Sequence, residues 1–246
     1  MVKRFKIGIF SLTSCEGCCF SILDLRERFL ELNKKIEIKT FRLFEDSNLP
    51  DEQYDFAFVE GSPLTNANIV NLKRIRANSR VLVTLGSCAH IGGIYHMKQY
   101  QDKDKLFSHI YDNAPGIENL EVKTVAQIVP VDFVIPGCPI NGEEFLKIAY
   151  QIIIGKNPQM PKRPVCYDCQ LRGYECLLQK GEICLGPITQ AGCEAVCLKS
   201  KQGCWGCRGL AADAEIPNLL KKLREKYSDK EILKVLEVFG VKELIK

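Results

Sequence analysis

Short apolar runs alternate with amphipathic stretches through roughly the first 150 residues of the chain. Phe5 to Phe10, Ile36 to Phe41, Phe56 to Val59, Val81 to Leu85 and Phe133 to Ile135 have the length and composition of buried strands. Between the first two, Ile22, Leu25, Phe29 and Leu32 fall on one helical face, which predicts a helix after Cys18. The stretches 65–78 and 142–154 also read as helices, while Tyr95 to Val122 carries no clear period. Strands separated by helices predict an α/β domain: a flavodoxin-like parallel sheet with helices on both faces.

The alternation stops at Gly155–Pro164, where Pro158, Pro161 and Pro164 cannot continue a helix. Beyond it the pattern changes. Eight cysteines lie between Cys166 and Cys207 with almost no hydrophobic periodicity, so this small cysteine-rich domain is expected to fold around metal rather than around an apolar core. Amphipathic periodicity resumes at Ala214 to Tyr227, and Ser228-Asp229-Lys230-Glu231 has the spacing of a capping box opening a helix through Val238. Leu219, Leu220, Leu223, Ile232, Val235 and Leu236 are expected to pack on the parent domain, with partner docking as the alternative. The predicted division is 1–155, 165–210 and 211–246.

Composition changes this picture mainly through cysteine. With 34 Lys and Arg against 30 Asp and Glu, the net charge of +4 is too small and too interleaved to argue for nucleic acid. No apolar run approaches the roughly 18 residues of a membrane helix. Thirteen cysteines against 3 His is the unusual feature. Lys3, Arg4 and Lys6 precede an apolar run from Ile7 to Leu12 that is too short for an export signal, so a reducing cytoplasmic location is expected. Free thiols in such number imply metal.

Placed on the predicted sheet, Cys15 and Cys18 follow the first strand, Glu60 and Gly61 the third, Cys88 the fourth and Cys138 the fifth. All of these positions lie at the carboxyl edge, where open parallel sheets bind their ligands. Four thiolates converging there suit an iron-sulfur cluster, and Cys138-Pro139 repeats a pairing found among cluster ligands. Gly17, Gly86 and Gly137 would admit a bulky group, and the helix opening near Cys19 would turn its positive end toward it. Tetrahedral zinc is the alternative. Cys19 reads as a buried small residue, His90 and His96 as ordinary neighbours of the Cys88 loop, and Glu16 and Glu60 as capping or solvent-facing carboxylates beside the site.

The second set runs Cys166-x2-Cys169-x6-Cys176-x7-Cys184-x8-Cys193-x3-Cys197-x6-Cys204-x2-Cys207. Eight thiols without an intervening His suggest two four-thiolate centres, iron-sulfur or zinc. Trp205, between two of them, would shield a centre or simply pack.

Together these motifs resemble the small subunit of nickel-iron hydrogenases of the cytoplasmic multimeric type, nearest the sulfhydrogenase delta subunit and the gamma-type subunits of deazaflavin-reducing and heterodisulfide-reductase-linked enzymes. The resemblance rests on Leu12-Thr13-Ser14-Cys15-Glu16-Gly17-Cys18, Val59-Glu60-Gly61, Gly86-Ser87-Cys88-Ala89, Gly92-Gly93, Pro136-Gly137-Cys138-Pro139 and Cys184-Leu185-Gly186-Pro187 running to Ala191-Gly192-Cys193. It implies a proximal 4Fe-4S cluster on Cys15, Cys18, Cys88 and Cys138, with Glu16, Gly17 and Glu60 around it. It further implies a distal one on Cys166, Cys169, Cys176 and Cys184, and a medial one on Cys193, Cys197, Cys204 and Cys207. Cys166 stands where many periplasmic relatives have a His, and Cys197 where they have a proline, so the medial cluster is expected to hold four irons. Gly17 occupies the position of the extra proximal cysteine of oxygen-tolerant relatives, which implies ordinary oxygen sensitivity.

The implied role is electron relay, with no nickel in this chain, no catalytic residue, a large subunit that splits hydrogen, and a further iron-sulfur or flavoprotein subunit as acceptor. No Gly-rich phosphate loop is present, so recognition of the terminal acceptor falls to other subunits. A complex I-like cluster subunit and a zinc-stabilised interaction module are the competing readings.

Overall fold

A computed structural model describes residues 4–44, 52–111, 116–118 and 120–245. Two compact units divide at Pro158 and Gln159, inside the stretch that the prolines break.

In the first unit β1 (Phe5–Ser11), β2 (Ile36–Phe41), β3 (Tyr54–Glu60), β4 (Ser79–Leu85) and β5 (Phe133–Ile135) form one parallel sheet in the order β2-β1-β3-β4-β5. The crossovers contain α1 (Gly17–Leu23), α2 (Glu27–Asn33), α3 (Asn66–Ala77), α4 (Gly86–Ile91) and α5 (Lys103–Ile110), and α6 (Gly142–Ile153) follows the last strand. Adjacent residues of β3 serve opposite faces, as the pleat requires. Ala57 and Val59 pack with Leu72 and Ile75 of α3, whereas the Phe58 ring lies 5.3 Å from that of Phe145 in α6. Burial on both faces explains why these strands read as continuous apolar runs.

Register lines up the strand ends. Ser11 pairs with Glu60, Glu60 with Leu85, and Leu85 with Ile135, so the last residues of β1, β3, β4 and β5 stand in one row at the carboxyl edge. The switch in winding direction falls between β1 and β3, where such sheets leave a ligand crevice.

Two local expectations are corrected. The helix predicted after Cys18 is broken into α1 and α2, because Arg26, at φ 50° and ψ −118°, lies outside the helical region. Ile22, Phe29 and Leu32 remain buried on either side of the break. The segment without a clear period contains a 3-10 helix over Gly93–Tyr100 followed by α5, and a three-residue turn does not produce the 3.6-residue pattern.

The second unit contains α7 (Val165–Leu171), α8 (Val196–Lys199), α9 (Ile216–Arg224), α10 (Asp229–Val238) and α11 (Val241–Leu244). The capping box forms as expected: Ser228 Oγ accepts from the Glu231 amide, and the Glu231 carboxylate accepts from the Ser228 amide. This unit has an apolar core, contrary to the expectation of metal alone. Leu185 and Ile188 of the cysteine segment pack with Leu219, Leu223, Ile232, Leu236 and Val241, each buried side chain contributing roughly 2 kcal/mol of transfer free energy. The C-terminal helices thus add apolar partners to the cluster the cysteine segment forms around Val165, Leu177, Ala195 and Leu198. Among the described residues, no helix is long and apolar enough to cross a membrane.

Candidate cluster sites

The row of strand ends positions the first cysteine set. Cys88 and Cys138 each stand three residues past a member of the row, and Cys15 and Cys18 lie in the turn and first helical residues after β1. The Ser87 amide donates to Gly137 O at 2.7 Å, tying the Cys88 loop to the Cys138 loop. A Cβ at Gly17 would lie 3.4 Å from Cys15 Sγ and 3.7 Å from Pro139 Cβ, so the first loop lies against the third.

The glycines clear space for sulfur. Gly86, at φ +81°, is so close to Cys18 that an added Cβ would collide with Cys18 Sγ. At Gly93, φ +59°, a Cβ would lie 2.8 Å from Cys88 Sγ. An alanine at either position would meet both backbone strain and a clash with a thiol. The residues therefore form a cradle that fits a bulky sulfur-ligated group, and the donor set of four thiols is the one such a cluster takes.

Electrostatics groups the same four residues. Burial pushes the Cys18 thiol well above its ordinary range, and the nearby Glu60, Cys88 and Cys138 push it further. Cys88 is raised to about 12, first by burial and then by Cys138, Cys15 and Glu60. A cationic metal would reverse this preference by stabilising the thiolate, so binding at these residues would release protons. Tyr95, raised to about 12 mainly by burial and next by Cys88, is a neighbour that the sequence did not mark.

Glu60 is only 2% exposed. Its Oε1 accepts from Ser11 Oγ at 3.0 Å and Ser14 Oγ at 2.9 Å, while Oε2 accepts from the amides of Cys18 at 3.1 Å and Cys19 at 3.2 Å. This corrects the dipole expectation: the amides opening α1 point at the Glu60 carboxylate. Glu60 holds the Cys15–Cys18 turn to the end of β3. Glu16, half-buried, pairs with Arg42 at 3.7 Å. Cys19 is fully buried, and His96 is buried with Nδ1 2.6 Å from Gln99 Oε1.

In the second unit α7 presents Cys166 and Cys169 on one face at i and i+3. Gly186 sits between Cys166 and Cys184; a Cβ there would lie 3.4 Å and 3.3 Å from their sulfurs. Cys166 is raised to about 12 by burial and then by Cys184, Cys176 and Cys169, which brings together the four residues expected to act as one set. The remaining thiols associate as pairs. Cys197 feels Cys193, and the deeply buried Cys204 feels Cys207; both also feel Cys184. The Cys204 amide donates to Cys184 Sγ at 3.3 Å, linking the two sets. Trp205 is exposed, whereas Cys204 beside it is buried, so that burial comes from other residues.

Two buried charges beside these cysteines escaped the sequence reading. Asp168, between Cys166 and Cys169, accepts from the Gly192 amide at 3.0 Å and from Arg163 at 3.3 Å. Arg208, directly after Cys207, is fully buried. A charged residue adjoining a cysteine was the available signal in both cases. Among the described residues, no three His, Cys, Asp or Glu side chains close around a single metal ion.

Residues 15–152 match the family described as NADH ubiquinone oxidoreductase, 20 Kd subunit. The chain is 37% identical to sulfhydrogenase 2 subunit delta of Pyrococcus furiosus, covering 96% of this chain and 99% of that one. It is 28% identical to the NAD-reducing hydrogenase HoxS subunit delta of Cupriavidus necator, over 67% of this chain and 86% of that one. A chain in the crystal structure of an NAD+-reducing NiFe-hydrogenase in the H2-reduced state superposes with a TM-score of 0.58 at 26% identity, covering 65% of this chain and 96% of that one. With more than half its length in the family match and a relative this similar end to end, the chain belongs to the NADH ubiquinone oxidoreductase 20 Kd subunit family and, within it, to the small subunits of hydrogenases.

Proposed function

We propose that this electron-transfer subunit relays electrons from the hydrogen-splitting site of a nickel-iron large subunit, through three 4Fe-4S clusters, to a further iron-sulfur or flavoprotein subunit in the cytoplasm. Cys15, Cys18, Cys88 and Cys138 hold the proximal cluster in this reading. Cys166, Cys169, Cys176 and Cys184 hold the distal one, and Cys193, Cys197, Cys204 and Cys207 the medial one. Such clusters, when bound, supply single-electron storage at potentials set by charge, hydrogen bonding and burial. The chain's own residues do the rest. Gly86 and Gly93 keep the cradle open, Glu60 orients the Cys18 turn, and burial of Cys18, Cys184 and Cys204 keeps water from the sulfurs.

The observation that carries this reading is the joining of three separate loops around four thiols at the sheet's carboxyl edge, with Gly86 against Cys18 Sγ. A complex I-like subunit is the second reading, since the matched family segment ends at residue 152. The cysteine-rich unit favours the hydrogenase, because the Pyrococcus relative extends over 96% of this chain.

Anaerobically purified complex should be brown, with about 12 iron atoms per copy of this chain, as three four-iron centres require. C138A should stop electron flow from hydrogen to viologen dyes while the distal centres still accept electrons from dithionite. Zinc in place of iron, or unimpaired flow in C138A, would overturn the proposal.

A further inference from the structure

Among the described residues the largest fully buried side chain is an arginine, and it lies in the cysteine-rich unit. Arg208 follows Cys207 directly, and its Nε donates to Gln190 O at 3.1 Å and Ala191 O at 3.0 Å. Those carbonyls belong to a short spine that leads into Cys193. Thr189 O accepts from the Val165 amide at 2.8 Å, and the Ala191 amide donates to Arg163 O at 2.9 Å. On the other side the Gln190 amide donates to Gly209 O at 3.0 Å. The guanidinium is therefore held next to the segments carrying two cysteines of one set, Cys193 and Cys207.

Removing a guanidinium from water is costly unless anionic or strongly polar partners persist around it. Arginine also keeps its charge at any accessible pH, so this is a permanent positive charge. Reduction of a cluster adds one negative charge to it. A fixed cation nearby stabilises the reduced form more than the oxidised one, and in a buried, weakly screened setting the effect is not lost to solvent.

We propose that Arg208 is a potential-setting residue, whose buried charge raises the reduction potential of the cluster on Cys193, Cys197, Cys204 and Cys207 relative to its neighbours. This rests on the relay reading above and adds to it a residue that makes arrival of the electron at that centre more favourable. Asp168 adjoins Cys166 and Cys169 and reaches the same spine through the Gly192 amide, but its charge is paired with Arg163.

The test uses the intact complex, unmutated and as R208K, R208Q and R208M, with iron counted in each and cluster potentials read by an EPR-monitored redox titration. R208Q keeps a polar group of similar reach without the charge. It should lower the equilibrium constant for reducing one of the three centres by about tenfold, which is about 59 mV for one electron. The other two centres should hold, and R208K should stay within about threefold of the unmutated protein.

An unchanged potential in R208Q, equal shifts in R208K and R208Q, or a shift of all three centres would overturn the proposal. Loss of iron from both R208Q and R208M while R208K loads normally would overturn it too, since the cation would then be a requirement of assembly. Failure of the relay reading itself is separately visible as zinc, or missing iron, in the unmutated complex.

Discussion

The two units solve the problem of holding cysteine in different ways. In the first, a parallel sheet buried on both faces exists for reasons that have nothing to do with thiols. Phe58, Ala57, Val59, Leu72 and Phe145 would pack as they do without Cys15 or Cys138. The register of β1, β3, β4 and β5 then delivers three loops to one place. In the second, cysteine is itself part of the core: Cys169, Cys184 and Cys204 are packed with Val165, Leu177, Ala195 and Leu198. A scaffold that precedes its site can lose the ligand and keep its shape. A site that is also the core cannot.

The largest expected effect separates the units on that ground. When the chain is produced with iron withheld, protease cleavage within 165–207 should rise at least tenfold, because bound metal supplies several kcal/mol to a domain of this kind. Hydrogen exchange in β1, β3 and β4 should stay close to that of the iron-loaded protein. Equal loss of protection in both units would erase the contrast. Survival of the pocket around Leu185 and Ile188, packed against α9 and α10, would show how much the C-terminal helices stabilise on their own.

A core truncation should act in the reverse direction. Phe58 is buried against the Phe145 ring, and F58A should destabilise the first unit by about 3–5 kcal/mol, read as a fall in its calorimetric transition. The iron content of the cysteine-rich unit should be unaffected. A loss of iron from all centres would mean that the two units unfold together.

The same contrast explains what the sequence made legible. Five strands were visible because parallel strands buried on both faces must be apolar throughout, and Ile36–Phe41 and Phe133–Ile135 were bounded to the residue. That the loops carrying Cys15, Cys18, Cys88 and Cys138 leave one edge of the sheet followed from placing each cysteine after its strand. What stayed hidden depended on contacts between distant residues. Nothing local distinguishes Glu60 as the acceptor for Cys18 and Cys19, since its partners lie 41 and 42 positions away in the chain. The core of the second unit was hidden for the same reason: Leu185 and Ile188 find their apolar neighbours beyond residue 215. The pairing of thiols from Cys166 to Cys207 depends on loop paths that spacing alone does not determine.

Glu60 offers a smaller and more local test of the first unit. One carboxylate accepts four hydrogen bonds, and a glutamine amide can replace only part of that set. E60Q should cost about 1–3 kcal/mol, the range for charged acceptors lost in a buried place. The loss should be confined to the first unit's transition, and the EPR signal of the proximal site should broaden as the Cys18 turn loosens. No change in either would mean that the Ser11 and Ser14 hydroxyls and the α1 amides find equivalent partners without the charge.

The smallest effect expected lies at the opening of α10, away from every cysteine. Ser228 Oγ caps the helix, and S228A should cost about 1 kcal/mol. Glu231 holds the other half of the box, and its carboxyl is lowered below the usual range, first by the Ser228 hydroxyl and then by the Ser228 amide. A carboxyl whose folded value is depressed contributes stability above its unfolded value and loses it as pH falls through the folded one. The unmutated helix should therefore fray progressively below the ordinary carboxylate range, seen as faster amide exchange in α10. In S228A that acid dependence should flatten, because Glu231 has lost the hydroxyl that favoured its charged form. Retention of the full acid dependence in S228A would place its origin in another carboxylate of the helix, such as Asp229.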